Sequence, residues 1–415
     1  MVPLRSILHS DCNSFYASVE AAENPAFQNQ PVAVCGDPAL RHGIILAKSA
    51  LAKKCGIITG EAIWQAKQKC PTLILIPADH RKYLLYSRKM RAIYKRYTNL
   101  VEPFGLDESW LDVTGHHLSG EEIAAQIRNS AREELGITVS IGVSYNKVFA
   151  KLGSDMRKPD ATTVITPENY RERVWPLPVD DLLYVGRATK RRLASLGLYT
   201  IGDLAKAEDA LIRGILGKNG AMLQAFARGQ DDSPVLCAEE ADVIKSIGNS
   251  TTTPHDLRDE EAAKAVIYLL SDSVAARLRA HHLACRTVSL WMRDSELVSI
   301  SRQSRLPRVC DTGADIARTA LHLLKTHYSW ERPLRSLGVC GSELESTEDR
   351  VQLPLWTPPK TRQERRLEDA LDGIRSRWGH NAVRRGLMLL DESTRDLNPV
   401  DDHELQPLGA MRGRG

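Results

Sequence analysis

Residues 9–20 read HSDCNSFYASVE and residues 105–115 read GLDESWLDVTG. The apolar run at 4–9 has the length of a short buried strand that ends at Asp11, and over 15–22 the apolar positions change to helical spacing. Around the second segment, Gly105 breaks the chain after the run 100–104, and 109–113 alternates as another strand. Asp107 and Glu108 therefore fall at a turn between strands, and Asp11 falls at a strand end. A long helix over 80–98 precedes that turn, and a helix over 119–135 and a strand over 137–143 follow it. With the stretch up to residue 77 set aside as an insertion, the order is strand, helix, strand, strand, helix, strand, which is the ferredoxin-like order. If the first and third strands of that order lie side by side, the three carboxylates converge.

Working outward, the insertion carries short strands at 32–35 and 43–47, two helical stretches and an apolar run at 73–76. Residues 171–233 read as helical and glycine-punctuated, entered through Pro176 and Pro178, and 238–242 is an acidic connector. After it, strands at 287–292 and 297–301 alternate with helices at 259–279 and 312–327 in a separate α+β domain. Beyond residue 343 the chain turns polar, with one apolar peptide at 351–356. An amphipathic stretch over 362–378 then carries Leu367, Leu371, Ile374 and Trp378 at helical spacing. That tail either docks locally or binds a partner.

At 415 residues the chain is long enough for about three domains at roughly 100–200 residues each. A net charge of +4 and a pI near 8.5 permit a phosphate-rich partner without requiring one. The eight cysteines stand singly, without zinc spacing or the density of a disulfide framework, and a reducing cytoplasm is expected. No signal-like leader or membrane-length apolar run is visible, so a membrane is not expected. The twelve histidines form no zinc pattern.

Acidic residues at turns are ordinarily solvated, and neither acidic segment alone would outweigh that reading. Together they match a need. Phosphoryl transfer from a nucleotide requires little covalent help but uses two cations about 3.5–4 Å apart to stabilise the attacking and leaving oxygens. Mg²⁺ suits this because it binds one or two carboxylates and takes substrate phosphates as further ligands.

The two segments resemble the acidic motifs of the Y-family (lesion-bypass) DNA polymerases, and the resemblance runs in family order and spacing to about Trp356. It implies a multidomain α+β fold shaped as a right hand. The palm would be ferredoxin-like (1–12 and 78–170), with small fingers (13–77) and a helical thumb with a helix-hairpin-helix (171–237). An α+β little finger (243–342) and a tail (343–415) would complete it. By the same likeness, Asp11 and Asp107 are metal ligands with the Cys12 backbone carbonyl, and Glu108 is the catalytic carboxylate on two Mg²⁺ ions, for which Mn²⁺ can substitute. Asn13 departs from the aspartate that many relatives carry.

Phe15 and Tyr16 would line the nucleotide, with Tyr16 as the gate against a 2′-hydroxyl. In NKVFAKLGSDMRKP (146–159), Lys158 would reach the triphosphate. The fingers have Ala50 and Lys53 where relatives have tyrosine and arginine, and Lys53 can still meet phosphate as a point charge. The segments 182–193 and 196–204 resemble the thumb's helix-hairpin-helix, with Gly186 and Lys190 toward DNA phosphate, although Tyr184 replaces the first usual glycine. Lys245, Arg286 and Arg302, among seven arginines that include Arg279, would grip the duplex backbone without reading sequence. Gln352, Leu353, Leu355 and Trp356 resemble the peptide by which bacterial polymerases dock into a sliding clamp.

The expected protein is thus a monomeric, low-fidelity translesion polymerase acting on primer-template DNA and deoxynucleoside triphosphates. Two competing readings stand beside it. One is a nucleotidyl cyclase on the same palm, and the other is a catalytically silent binder of DNA and clamp.

Overall fold

Strand β1 (Ile7–Cys12) is buried at every residue, as a strand flanked on both sides and covered on both faces must be. The computed structural model describes residues 5–36, 43–237, 244–347 and 359–389, so the 352–356 peptide lies outside the described residues. These form two units, one of residues 5–35 and 44–237 and the other of 244–347 and 359–389.

In the first unit β1 is followed by α1 (Phe15–Glu23), β2 (Val32–Cys35), β3 (Ile45–Lys48), α2 (Ala50–Lys54), α3 (Ile63–Lys69) and β4 (Ile74–Pro77). Then come α4 (His80–Tyr94), β5 (Val101–Phe104), β6 (Glu108–Asp112), α5 (Gly120–Leu135), β7 (Val139–Ser144), α6 (Lys147–Met156) and β8 (Thr162–Ile165). Five strands make one sheet in the order β5-β6-β1-β7-β8. The neighbours β5, β6, β1 and β7 are antiparallel, which is the expected ferredoxin-like arrangement with the insertion removed. The fifth strand is new relative to the sequence reading: α6 crosses over and returns the chain as β8, parallel to β7.

Local chemistry sets the ends. Helix α5 starts on a capping box between Ser119 and Glu122 and stops at Gly136, whose φ of 68° suits glycine. Ile137 then gives its N–H to Ala131 in the helix, which delays β7 to Val139. Helix α4 ends at Tyr94, short of 98. The insertion forms a three-stranded sheet, β3-β2-β4, over a small core that includes Ala33, Ile45, Ala52, Ile57 and Leu73.

The remaining helices of this unit are α7 (Tyr170–Arg173), α8 (Arg187–Ala194), α9 (Ile201–Lys206) and α10 (Asp209–Ala227), the last kinked at Gly217. Tyr184, standing where a glycine is usual, has a left-handed backbone with φ 70°.

The second unit runs β9 (Ser246–Leu257), α11 (Glu260–Ala280), β10 (Leu283–Asp294), β11 (Ser299–Cys310), α12 (Gly313–His327), β12 (Leu334–Ser346) and α13 (Pro359–Trp378). Its antiparallel sheet, β11-β10-β12-β9, packs against α11 and α12. The sequence reading found α11, α12 and shorter versions of β10 and β11, but missed β9 and β12. Strand β9 has few buried positions and a polar NSTTT core, so it lacks the apolar alternation that marks a strand.

The tail helix settles against α11 in a way its periodicity did not foretell. Its spaced apolar residues Leu367 and Trp378 are 60% and 69% exposed. Its charged Glu368 is buried instead, and Glu368 and Asp372 meet the Arg279 guanidinium at 3.2 and 2.7 Å. Arg279, grouped above with DNA-gripping arginines, is thereby committed inside its own unit. Buried Asp272 of α11 is held by Arg385 at 2.7 Å, and Met388 packs on Leu269.

Candidate active site at the end of the five-stranded sheet

Side chains alternate faces along a strand and share a face with the residue directly opposite. In β1, His9 and Asp11 therefore point to one face, and their partners in β6, Trp110 and Glu108, point the same way. On the other flank, Gly142 and Ser140 of β7 oppose His9 and Asp11. Gly142 has no side chain for a reason: a Cβ there would stand 1.9 Å from the Ala150 carbonyl oxygen of α6. That close approach seats α6 on this face and brings Lys151, Ser154 and Asp155 onto the carboxylates.

Asp107 completes the cluster from the turn, where Gly105 takes a φ of 85°, and the Cys12 N–H donates to the Asp107 carbonyl at 3.0 Å. Lys151 Nζ lies 3.2 Å from Asp11 Oδ2, 2.8 Å from Glu108 Oε2 and 3.2 Å from Asp155 Oδ2. Lys158 Nζ lies 2.7 Å from Asp11 Oδ2 and 2.8 Å from Asp155 Oδ1. Among the described residues no three His, Cys, Asp or Glu side chains close into a ligand cage. In this arrangement the ammonium groups hold Asp11 and Glu108.

The electrostatics nonetheless fit a cation. Burial, and then the charges of Glu108 and Asp11, push the Asp107 carboxyl up to about 7. Burial and Glu108 also raise Asp11, against the pull of the two lysines. Burial works against the charge of Lys151, but Glu108, Asp11 and Asp155 offset it and the ammonium is held more firmly than usual. Two carboxylates raised by burial and by the acidic charges around them form a site short of positive charge.

Tyr16 lies beside this cluster: burial and the Asp107 charge raise its hydroxyl. Its ring stacks on Tyr83 of α4 at 4.1 Å and 11°, and Tyr83 is itself tied to Glu20 at 2.8 Å. Phe15 is buried in the core behind it. Asn13 is used structurally, accepting from Ser140 at 2.9 Å and donating to Thr138 at 3.2 Å. Lys53 is exposed on α2 near Lys48, whose pKa burial and the Lys53 charge lower.

The other expected contact residues are scattered. Gly186 caps α8, and Lys190 pairs with Asp180 at 2.7 Å. Lys245 and Arg302 are exposed, and Arg286 pairs with Glu345 at 2.7 Å. Sequence reasoning missed His9, Lys151, Ser154 and Asp155. The i, i+3/i+4 spacing of the last three in 146–159 marks one helix face, a signal that was available.

With this geometry in view, the comparisons with known proteins are specific. Residues 10–155 match the impB/mucB/samB family and residues 244–355 match that family's C-terminal domain. The DNA polymerase IV of Acetivibrio thermocellus is 46% identical over 400 residues, covering 95% of this chain and 100% of that protein. DNA polymerase IV 1 of Bacillus subtilis is 36% identical over 394 residues, covering 94% and 95%. A solved Y-family DNA polymerase chimera of Dbh and Dpo4 superposes with a TM-score of 0.73 at 24% identity, over 81% of this chain and 98% of that one.

The fold is that of a Y-family DNA polymerase. Within that class, the chain belongs to the impB/mucB/samB family with the DNA polymerases IV, and is a DNA-directed DNA polymerase of the translesion type.

Proposed function

We propose that the protein adds deoxynucleotides to a primer 3′ end at the Asp11–Asp107–Glu108 cluster, with those side chains and the Cys12 backbone carbonyl holding two Mg²⁺ ions. When bound, such ions supply Lewis-acid stabilisation of the attacking and leaving oxygens. The observation that carries this reading is the pairing of Asp11 directly opposite Glu108, with Asp107 half-buried at the adjoining turn and raised to about 7.

The chain's own groups then divide the work. Lys158 is a third exposed and stands beside Asp11, where it can exchange the carboxylate for triphosphate oxygen, while Lys53 meets the same charge from the insertion. Tyr16, propped by Tyr83, sets its ring against the sugar and excludes a 2′-hydroxyl. Residues 1–12 and 78–170 serve as palm, 13–77 as fingers, 171–237 as thumb and 243–342 as little finger.

Gly186 and Lys190 of the thumb, and Lys245, Arg286 and Arg302 of the little finger, hold primer-template backbone, so affinity should fall steeply with salt. The peptide Gln352, Leu353, Leu355 and Trp356 recruits a sliding clamp, and the protein works as a monomer in the cytoplasm. No helix among the described residues is long and apolar enough to cross a membrane.

The deciding assay is primer extension with Mg²⁺ and deoxynucleotides on undamaged and lesion-bearing templates, comparing wild type with Asp107→Ala. Extension by the wild type and loss of at least about 1000-fold in the variant are expected. A folded, DNA-binding wild type that extends nothing would leave a silent clamp-binding protein.

A further inference from the structure

Two helices of the insertion end on the same residue type: Cys55 caps the C-terminus of α2 and Cys70 that of α3. Gly56, at φ 80°, turns the chain straight after Cys55, and Ile57 drops into the small core that also holds Ala52, Ala66 and Cys70. The residue before Cys70 then ties the two helix ends together. Lys69 Nζ donates to the Gly56 carbonyl at 3.0 Å and to Glu61 Oε2 at 2.5 Å, while Glu61 Oε1 accepts the Ile58 N–H at 2.8 Å. The chain neighbours of the two cysteines are thus in direct contact, and the Cys55 thiol is hydrogen-bonded to Cys70.

The pair is asymmetric. Cys55 is the one exposed cysteine of the eight, whereas Cys70 is buried. An exposed thiol alone oxidises in steps to sulfinic and sulfonic acids that thiols do not reverse, but one with a second thiol in reach stops at a disulfide. The hydrogen bond to Cys70 also raises the Cys55 pKa, which thins the thiolate that attacks oxidants. Such a pair is too slow for a peroxide sensor and suits protection against accumulated damage.

We propose that Cys55 and Cys70 are a modification site, an exposed thiol and its buried resolving partner, which hydrogen peroxide closes into a reversible disulfide across the ends of α2 and α3. In the first step Cys55 sulfur attacks a peroxide oxygen. An S–O bond forms, the O–O bond breaks, and the departing hydroxide takes the Cys55 proton and leaves as water. In the second step Cys70 sulfur attacks the sulfenic sulfur of Cys55. The S–S bond forms, the S–O bond breaks, and hydroxide takes the Cys70 proton as a second water. The two thiols lose two electrons, and these reduce the peroxide.

Lys53 and Lys54 stand at the same helix end as Cys55. A sulfinate at residue 55 would set a permanent negative charge near Lys53, the lysine read above as a triphosphate contact, whereas the disulfide carries no charge. This consequence, unlike the disulfide itself, rests on that reading of Lys53.

The test uses the full-length protein, reduced, treated with hydrogen peroxide, alkylated and digested with trypsin without reductant. Trypsin separates residues 55–67 from 70–81. The expected product is those two peptides joined, two hydrogens lighter than their sum and released by dithiothreitol. In Cys70→Ala the joined product should be lost and Cys55 should carry two or three oxygens instead. In Cys55→Ser it should be lost with Cys70 still reduced. Mapping of the wild type needs no variant, so misfolding of either one leaves the test in force. Over-oxidised Cys55 beside a free Cys70 thiol in the wild type, or Cys55 joined to a second copy of the chain, overturns the proposal. After peroxide and then reductant, the nucleotide KM in primer extension should return to its starting value in the wild type and stay raised in Cys70→Ala. An unmoved KM with the disulfide mapped overturns the Lys53 reading alone, and a wild type that extends no primer overturns the polymerase reading, with the disulfide standing in both cases.

Discussion

A half-buried carboxylate beside two others carries a cost before it has a function. Asp107 ionises near 3.8 in an unfolded chain and at about 7 in the fold, so the folded protein free of divalent ions holds a proton that the unfolded chain releases. Stability from this group is complete below the unfolded value and is lost as pH rises through about 7. Asp107→Asn should therefore raise the unfolding free energy of the divalent-free protein at pH 8 by on the order of a few kcal/mol, seen as a higher melting temperature, and have a much smaller effect near pH 4. Equal shifts at the two pH values would contradict this. At the proposed gate, Tyr16→Ala should leave Tyr83 without its stacking partner and raise ribonucleotide incorporation by on the order of 100-fold, read as the ratio of kcat/KM for the two sugars.

Among the elements, α6 decides whether there is a site at all. It brings Lys151, Ser154, Asp155 and, just past its end, Lys158 to the carboxylates, and it can lie so close only because β7 has glycine at 142. In Gly142→Ala, Cβ would come within 1.9 Å of the Ala150 carbonyl oxygen and 2.6 Å of the Ser154 nitrogen, both backbone atoms that cannot rotate away. The variant should lose roughly 3 kcal/mol or more in denaturant unfolding. It should also lose most polymerase activity, because the lysines shift with the helix. A fully active, fully stable Gly142→Ala would refute this role for the contact.

For the molecule as a whole, residues 359–389 are part of the second unit rather than an appendage. Asp272 is 2% exposed, and Arg385, from well beyond the β-sheet, donates to both of its carboxylate oxygens at 2.8 and 2.7 Å. Removing the guanidinium leaves the buried charge with only Arg375 at 3.7 Å, so Arg385→Ala should destabilise the unit by up to about 3–5 kcal/mol, whereas Asp272→Asn together with Arg385→Ala should cost less than the sum. Calorimetry of the full chain should show the transition of the second unit move and that of the first stay, and a simultaneous shift of both would disprove the local account.

The carboxylates, the ferredoxin-like strand order and the family were legible in the chain, because apolar runs, a glycine break and acidic residues at strand ends are local signals. The helices α11 and α12 were legible for the same reason. Strands β8, β9 and β12 were not: one is four residues long, and the others draw their pairing from neighbours rather than from alternation. The tail helix was legible as a helix, and the structure docks it locally; what its periodicity did not show is that Leu367 and Trp378 face outward while Glu368 and Asp372 meet Arg279. The sequence by itself determined which acids, lysines and aromatics were available and the order of the elements that carry them. Tertiary structure alone decided that His9 and Ser154, 145 positions apart, share a hydrogen bond behind Glu108. Strand register and a helix resting on Gly142 set that distance, and neither is written in any one stretch of chain.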